Sequence, residues 1–154
     1  MIEELNLDIN RCKKVIEENN YLEIVIAIEE LQDKYKNKVK SINENYNDVV
    51  WNYNKEDLKN IKEKLIEYQN QLILKEKIKN IYDKISELRL YIENNNINKK
   101  DDLEEIINLI ENVHNKQISL DEKYDEIKSC LSLVSAFDRK TSAYILELVT
   151  LVIK

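Results

Sequence analysis

Apolar residues recur along nearly the whole chain at steps of three and four positions, the spacing that places them on one face of an α-helix. The first stripe predicts a leading helix and comprises Ile2, Leu5, Ile9, Cys12 and Ile16. The adjacent residues Asn19 and Asn20 interrupt the stripe, which predicts a kink or a short break. The second stripe extends from Ile24 to Val49 and predicts a helix of about 39 Å at 1.5 Å per residue.

The central part of the chain predicts a loop followed by one long helix. The loop falls around residues 46–54, and Asn54 is a suitable N-cap because acidic side chains follow it in the first helical turn. The stripe of this helix slips by one residue between Leu72 and Ile78. The slip means either that a coiled-coil seam is disrupted there or that the helix rotates its buried face. The two long helices are predicted to form an antiparallel, coiled-coil-like hairpin.

The last third of the chain predicts three shorter helices after an asparagine-rich loop at residues 94–98. Asn98 is expected to cap the first of them, Ser119 or Asp121 the second, and Asp138 the third. The predicted organisation is an elongated all-α bundle. Residues 1–93 would hold the leading helix and the hairpin, and residues 99–154 a C-terminal helical subdomain.

The chain of 154 residues contains neither glycine nor proline. Average usage would supply about eleven and about eight of them. Tight hairpin turns and sheet edges depend on these residues, whereas helix interiors disfavour both. The composition therefore predicts an all-α fold. It also excludes the glycine-rich phosphate loops and nucleophile elbows of common nucleotide-binding and hydrolytic enzymes.

Abundant Lys, Asn and Ile are typical of proteins from AT-rich genomes, which suggests a bacterial or phage source. No apolar run is long enough to span a bilayer, and the acidic N-terminus does not resemble a secretory signal, so a cytoplasmic location is expected. Cys12 and Cys130 are expected to be reduced, packed thiols.

Charge is distributed unevenly around the net value of −6. Residues 1–50 carry a net −4, residues 51–100 a net +3 and residues 101–154 a net −5. A basic central helix between acidic ones is an arrangement that favours antiparallel pairing.

Candidate chemistry is sparse. His114 is the only histidine, too few for a metal site or a di-iron bundle, and is expected to be solvated or to lie at a helix end. Paired acids such as Glu104 and Glu105 are expected to be solvated helix surface. The lysines at 34, 36, 38 and 40, and at 75, 77 and 79, do not line one face continuously, and arginine is scarce, so nucleic-acid binding is a weak alternative. We predict no catalytic residue, cofactor, metal or small-molecule substrate.

Two regions are candidates for a partner interface. The aromatic cluster at the predicted interhelical connection either closes the hairpin end or forms an exposed anchor, since Trp and Tyr are common at binding hot spots. The C-terminal helix is apolar around almost its whole circumference and is either wrapped by the other helices or offered to a second copy or partner. Its pattern also stops without a C-cap, which suggests a truncated continuation. The candidate interface residues are Tyr46, Trp51, Tyr53, Tyr144, Ile145, Leu148, Val149 and Val152.

The function expected from these features is a non-enzymatic protein–protein interaction module that self-associates. An alternative of another class is a small acidic inhibitor or regulator, of the phage anti-defence or antitoxin kind, that blocks a partner's surface. The net −5 of residues 101–154 motivates that alternative, because acidic helices can occupy a basic groove.

Overall fold

The computed structural model describes residues 1–44, 46 and 48–154, and these residues form α-helices and one short 3₁₀-helix without any strand. The α-helices are α1 (Ile2–Glu18), α2 (Tyr21–Tyr35), α3 (Lys55–Asn94), α4 (Lys100–Asn115), α5 (Leu120–Val134) and α6 (Arg139–Ile153). The 3₁₀-helix spans Val50–Asn52. The all-α prediction is confirmed, and so is a long helix, α3, that pairs with other helices.

Packing divides the chain into two compact units, a first unit of Met1–Lys75 and a second unit of Glu76–Lys154. The division falls inside α3, which contributes Leu58, Ile61 and Leu65 to the first core and Ile81 and three later residues to the second. Between these sets, residues 66–80 include no buried side chain. The one-residue slip in the apolar stripe, between Leu72 and Ile78, thus falls within the stretch of α3 that contributes no buried side chain to either core.

In the first unit, α1 and α2 form a pair joined by the predicted break at Asn19 and Asn20. Asn19 adopts a left-handed conformation with φ of 53° and ends α1. Asn20 then caps α2, because its side-chain oxygen accepts hydrogen bonds from the backbone N–H of Leu22 and of Glu23. Asparagine tolerates the left-handed region and is a strong N-cap, so two adjacent asparagines can end one helix and begin the next.

The second helix is shorter than its apolar stripe predicts. It ends at Tyr35, so α2 is about 22 Å long rather than about 39 Å. Residues 36–44 form successive turns, in which Val39 and Ile42 are still buried. The Ile42 N–H donates a hydrogen bond to the Val39 carbonyl, and similar turns follow one another along this stretch. Because these turns place apolar residues at nearly helical spacing, their sequence pattern resembles that of a helix. Asn45 and Asn47, which both fall within the predicted stripe, lie outside the described residues.

The residues that cap the remaining helices are among those predicted from the sequence, with one exception. Asn54 and Asp138 cap α3 and α6 as predicted. Of the two candidates for the cap of α5, Ser119 is the cap, and it forms a capping box with Glu122. The prediction of Asn98 as the cap of α4 was wrong. Lys99, with φ of 62°, occupies that position without a side-chain cap, since the first helical bond runs from Leu103 N–H to the Lys99 carbonyl.

In the second unit, the later part of α3 packs with α4, α5 and α6 around one apolar core. Arg89 on α3 forms an ion pair of 2.7 Å with Glu111 on α4, and Lys84 forms one of 3.0 Å with Glu147 on α6. The Ser142 hydroxyl donates a 2.7 Å hydrogen bond to the Val134 carbonyl near the end of α5. Ion pairs therefore join basic residues of α3 to acidic residues of α4 and α6.

Candidate functional site

An exposed aromatic pair lies on the surface of the first unit, where the 3₁₀-helix meets the start of α2. The rings of Trp51 and Tyr21 stack with centroids 6.5 Å apart and planes 25° apart. The Tyr21 hydroxyl donates a hydrogen bond to the Trp51 backbone carbonyl, which fixes the two chain segments to each other. Trp51 nevertheless keeps 67% of its surface exposed. We call Tyr21 and Trp51 the aromatic pair.

A buried polar network holds the segment that carries the pair. Tyr53, two residues after Trp51, is 2% exposed, and its hydroxyl donates a 2.9 Å hydrogen bond to Gln32 Oε1. The buried Gln32 Nε2 in turn donates to the Ile42 carbonyl at 3.4 Å. The connection between α2 and α3 is thereby tied to the core at Tyr53 while Trp51 faces solvent. An aromatic side chain on an anchored backbone loses less conformational entropy on binding than one on a free loop.

Two of the predicted interface residues in this region are exposed and one is not. Tyr46 is exposed and lines a cavity of about 270 Å³ beside α2, together with Glu29, Gln32 and Asp33. Trp51 is exposed as part of the aromatic pair. Tyr53, expected with them, belongs to the first core, because its hydroxyl finds its partner inside that core.

Tyr21 was not among the predicted interface residues, although it lies three residues before Ile24 and so continues the apolar stripe of α2. Its contact with Trp51 spans 30 positions and carries no signal in a single sequence.

The candidate residues of the C-terminal helix form part of the second core. Ile145, Leu148, Val149 and Val152 are all buried there against α3, α4 and α5. Tyr144 is half-buried, with its ring 5.4 Å from the ring of Tyr91 and the Lys84 ammonium over its face. Of the two alternatives for this helix, the structure shows the first, in which neighbouring helices wrap it. Leu146 is the exposed large apolar residue on α6.

A shallow groove opens between α4 and α5 on the second unit. Its volume is about 430 Å³, and its apolar floor includes Ile106, Leu109 and Cys130. The exposed Leu133 lies at its edge, and two carboxylates of α4 line the same side. We call this feature the α4–α5 groove; its acidic residues are Asp102 and Glu105.

The single histidine lies at the end of its helix, as predicted, and is half-buried. The ring of His114 contacts the ring of Tyr82 edge-on at 5.7 Å, and its backbone carbonyl accepts a hydrogen bond from Lys123 Nζ. Burial lowers the pKa of His114, and the charges of Lys123 and Lys77 lower it further. Cation and aromatic contacts thus give this residue a structural role in the last turn of α4.

We expect the lowered pKa of His114 to make stability fall as the pH drops below about 6.5. In that range the unfolded chain binds a proton that the folded chain resists, so the free energy of unfolding decreases from its value at neutral pH. Replacing His114 by glutamine should flatten this slope. The measurement is urea denaturation of both proteins at pH 7.5 and 5.5, and equal losses in the two proteins would contradict the prediction.

The two cysteines are buried, free thiols, as the sequence predicted. Burial raises the pKa of Cys12 to about 11 and raises that of Cys130 as well. In the part of the chain that the structure describes, no group of His, Cys, Asp or Glu is arranged to hold a metal ion.

The lysines at 34–40 are partly neutralised within the first unit. Lys34 forms ion pairs of 2.7 Å with both Glu4 and Asp8, and Lys36 pairs with Asp33 at 2.5 Å. Hydrogen bonds to Asp8 and Glu4 raise the pKa of Lys34. This segment therefore carries less free positive charge than its sequence indicates.

Comparison with known proteins adds no relative, since no family model, curated protein or solved structure matches the chain. Among the described residues, no helix combines the length and the apolar character that crossing a membrane requires.

Proposed function

We propose that this protein is a non-enzymatic, self-associating protein–protein interaction module, and that the aromatic pair is one of its contact surfaces. The observation that carries the proposal is the solvent exposure of Trp51 on a backbone segment anchored by Tyr53 and Gln32. Tryptophan and tyrosine are over-represented among residues whose truncation most weakens protein interfaces. A large exposed ring that is held in one place suits that role.

Two acidic residues close to the pair in sequence also bear on the partner. Glu23 is exposed in the first turn of α2, and Asp48 is exposed close to Trp51 in sequence. Neither side chain has a cation partner within the described residues. A partner surface with an apolar pocket and a basic rim would complement this arrangement, because rim charges favour encounter and fix orientation.

We expect the replacement of Trp51 by alanine to abolish or weaken partner binding at least about tenfold, the scale of a hot-spot residue. Tagged wild-type and variant proteins would capture partners from a nuclease-treated lysate of the source, with mass spectrometry as the readout. Leu7→Ala is the matched control, since Leu7 is 70% exposed on α1 and Trp51 is 67% exposed.

A protein captured by the wild type and by Leu7→Ala, and lost by Trp51→Ala, would support the assignment of the aromatic pair. Equal recovery of every captured protein by the two variants would show that the pair is not a contact surface. Sedimentation velocity of the wild type tests self-association separately, and a monomer at all concentrations would contradict that part of the proposal.

The second candidate function is the acidic inhibitor, and it rests on the surface of the second unit. Residues 101–154 carry a net −5, and the exposed carboxylates of Asp101, Asp102, Glu105 and Asp121 have no cation partner within the described chain. Binding to a basic nucleic-acid enzyme that persists at high salt would favour this candidate, whereas loss at modest salt would indicate charge attraction alone.

A further inference from the structure

The α4–α5 groove combines an apolar floor with two carboxylates whose charge is not neutralised by the protein. Glu104 and Glu111 on the same helix both lie within 4.0 Å of Arg89. Asp102 and Glu105, which line the groove, have no such partner among the described residues. Both side chains are exposed. An occupant of this groove must therefore offer apolar side chains and two positive charges.

The exposed middle of α3 has this chemistry. Leu74 and Ile78 are exposed and lie four positions apart, so they share one face of the helix. Lys75 and Lys79 follow them by one residue each with the same spacing, and both are exposed without an ion-pair partner in the described chain. This stretch presents an apolar pair flanked by a pair of cations.

The spacings of the two surfaces correspond. Asp102 and Glu105 are three residues apart on α4 and therefore lie along one side of that helix, as Lys75 and Lys79 do on α3. An amphipathic helix laid in a groove places its apolar residues on the floor and its charged residues at the rim. Leu74 and Ile78 would cover Ile106 and Leu109 while the two lysines reach the two carboxylates.

We propose that the occupant of the α4–α5 groove is the middle of α3 from a second copy of this chain. The inference rests on the proposed self-association and names its contact: residues 74–79 of one copy against the groove of another. One chain supplies both the acidic apolar groove and the basic apolar helix, so a copy carries each half of the interface.

The test uses charge reversal on each side of the proposed contact in the full-length chain. One variant carries Asp102→Lys and Glu105→Lys, the other Lys75→Glu and Lys79→Glu. We expect each variant alone to self-associate at least about tenfold more weakly than the wild type by sedimentation velocity. An equimolar mixture should recover association, because lysines at 102 and 105 then face glutamates at 75 and 79.

Net charge provides a control for nonspecific effects. The Asp102→Lys, Glu105→Lys variant has a net charge of −2 instead of −6, so general repulsion between copies would decrease and favour association. Glu63→Lys with Glu67→Lys makes the same change at two exposed acids of α3 outside the groove. That control should associate at least as well as the wild type. Circular dichroism of each variant verifies that the helices are retained.

The outcomes separate this inference from the proposed function. If the wild type associates and neither charge reversal weakens that association, the proposed groove contact is wrong, although self-association itself is retained. A wild type that stays monomeric at all concentrations would overturn both. A monomer that captures another protein only while Asp102 and Glu105 are intact would assign the groove to a different partner, and the second copy would be the wrong occupant.

Discussion

Replacing Leu148 by alanine is expected to lower the free energy of unfolding by about 2–5 kcal/mol. Leu148 lies on α6 and is 0% exposed in the second core, where neighbouring helices surround it. Truncation removes buried apolar surface and leaves a cavity that helices packed on several sides cannot close fully. Urea denaturation followed by circular dichroism at 222 nm measures the loss.

Leu146 provides the matched control because it lies two positions away on the same helix and is 48% exposed. Leu146→Ala should change the free energy of unfolding by no more than about 0.5 kcal/mol. Similar losses in both variants would mean that α6 is not wrapped by its neighbours as the structure places it. The comparison also decides whether the apolar character of α6 serves the core of one chain or a surface between chains.

Replacing Tyr53 by alanine is expected to cost about 3–5 kcal/mol, the scale of a buried aromatic truncated in a core. Tyr53 fills part of the first core, and its hydroxyl donates to the buried Gln32. Tyr53→Phe should account for about 1–3 kcal/mol of this loss, because it keeps the ring and removes the donor that satisfies Gln32 Oε1. The same denaturation experiment measures both variants.

The two substitutions also connect stability with the candidate interface. Since Tyr53 anchors the segment that carries Trp51, Tyr53→Phe should increase the mobility of the Trp51 ring, the only tryptophan in the chain. Fluorescence anisotropy of that ring measures the change. A variant as stable as the wild type, with unchanged anisotropy, would show that the polar network does not hold the segment.

Much of the fold could be predicted from the sequence because its signals are local. Helical spacing and the absence of glycine and proline predicted the helices, and Asn54, Ser119 and Asp138 were found from side-chain chemistry at helix starts. The prediction failed at residues 36–44, where turns repeat apolar residues at nearly the spacing of a helix. Periodicity alone does not distinguish a helix from successive turns that pack on the same core.

The candidate site could be predicted only in part because burial depends on the tertiary fold. Trp51 and Tyr53 are two residues apart and were considered together, yet one faces solvent and the other the core. The difference comes from Gln32, which lies 21 positions before Tyr53 and receives its hydrogen bond. The apolar circumference of α6 likewise fits burial within one chain as well as contact between chains. Contacts of this range leave no trace in a single sequence.

The placement of the two cysteines gives each core its own chemical reporter. Cys12 lies in the first core and Cys130 in the second, where it also lines the floor of the α4–α5 groove, and burial raises the pKa of both thiols. A thiol reagent can therefore modify Cys12 only when the first unit opens, whereas it can approach Cys130 through the groove. The two labelling rates, separated by peptide mass analysis, would distinguish opening of the first unit from access to the groove of the second.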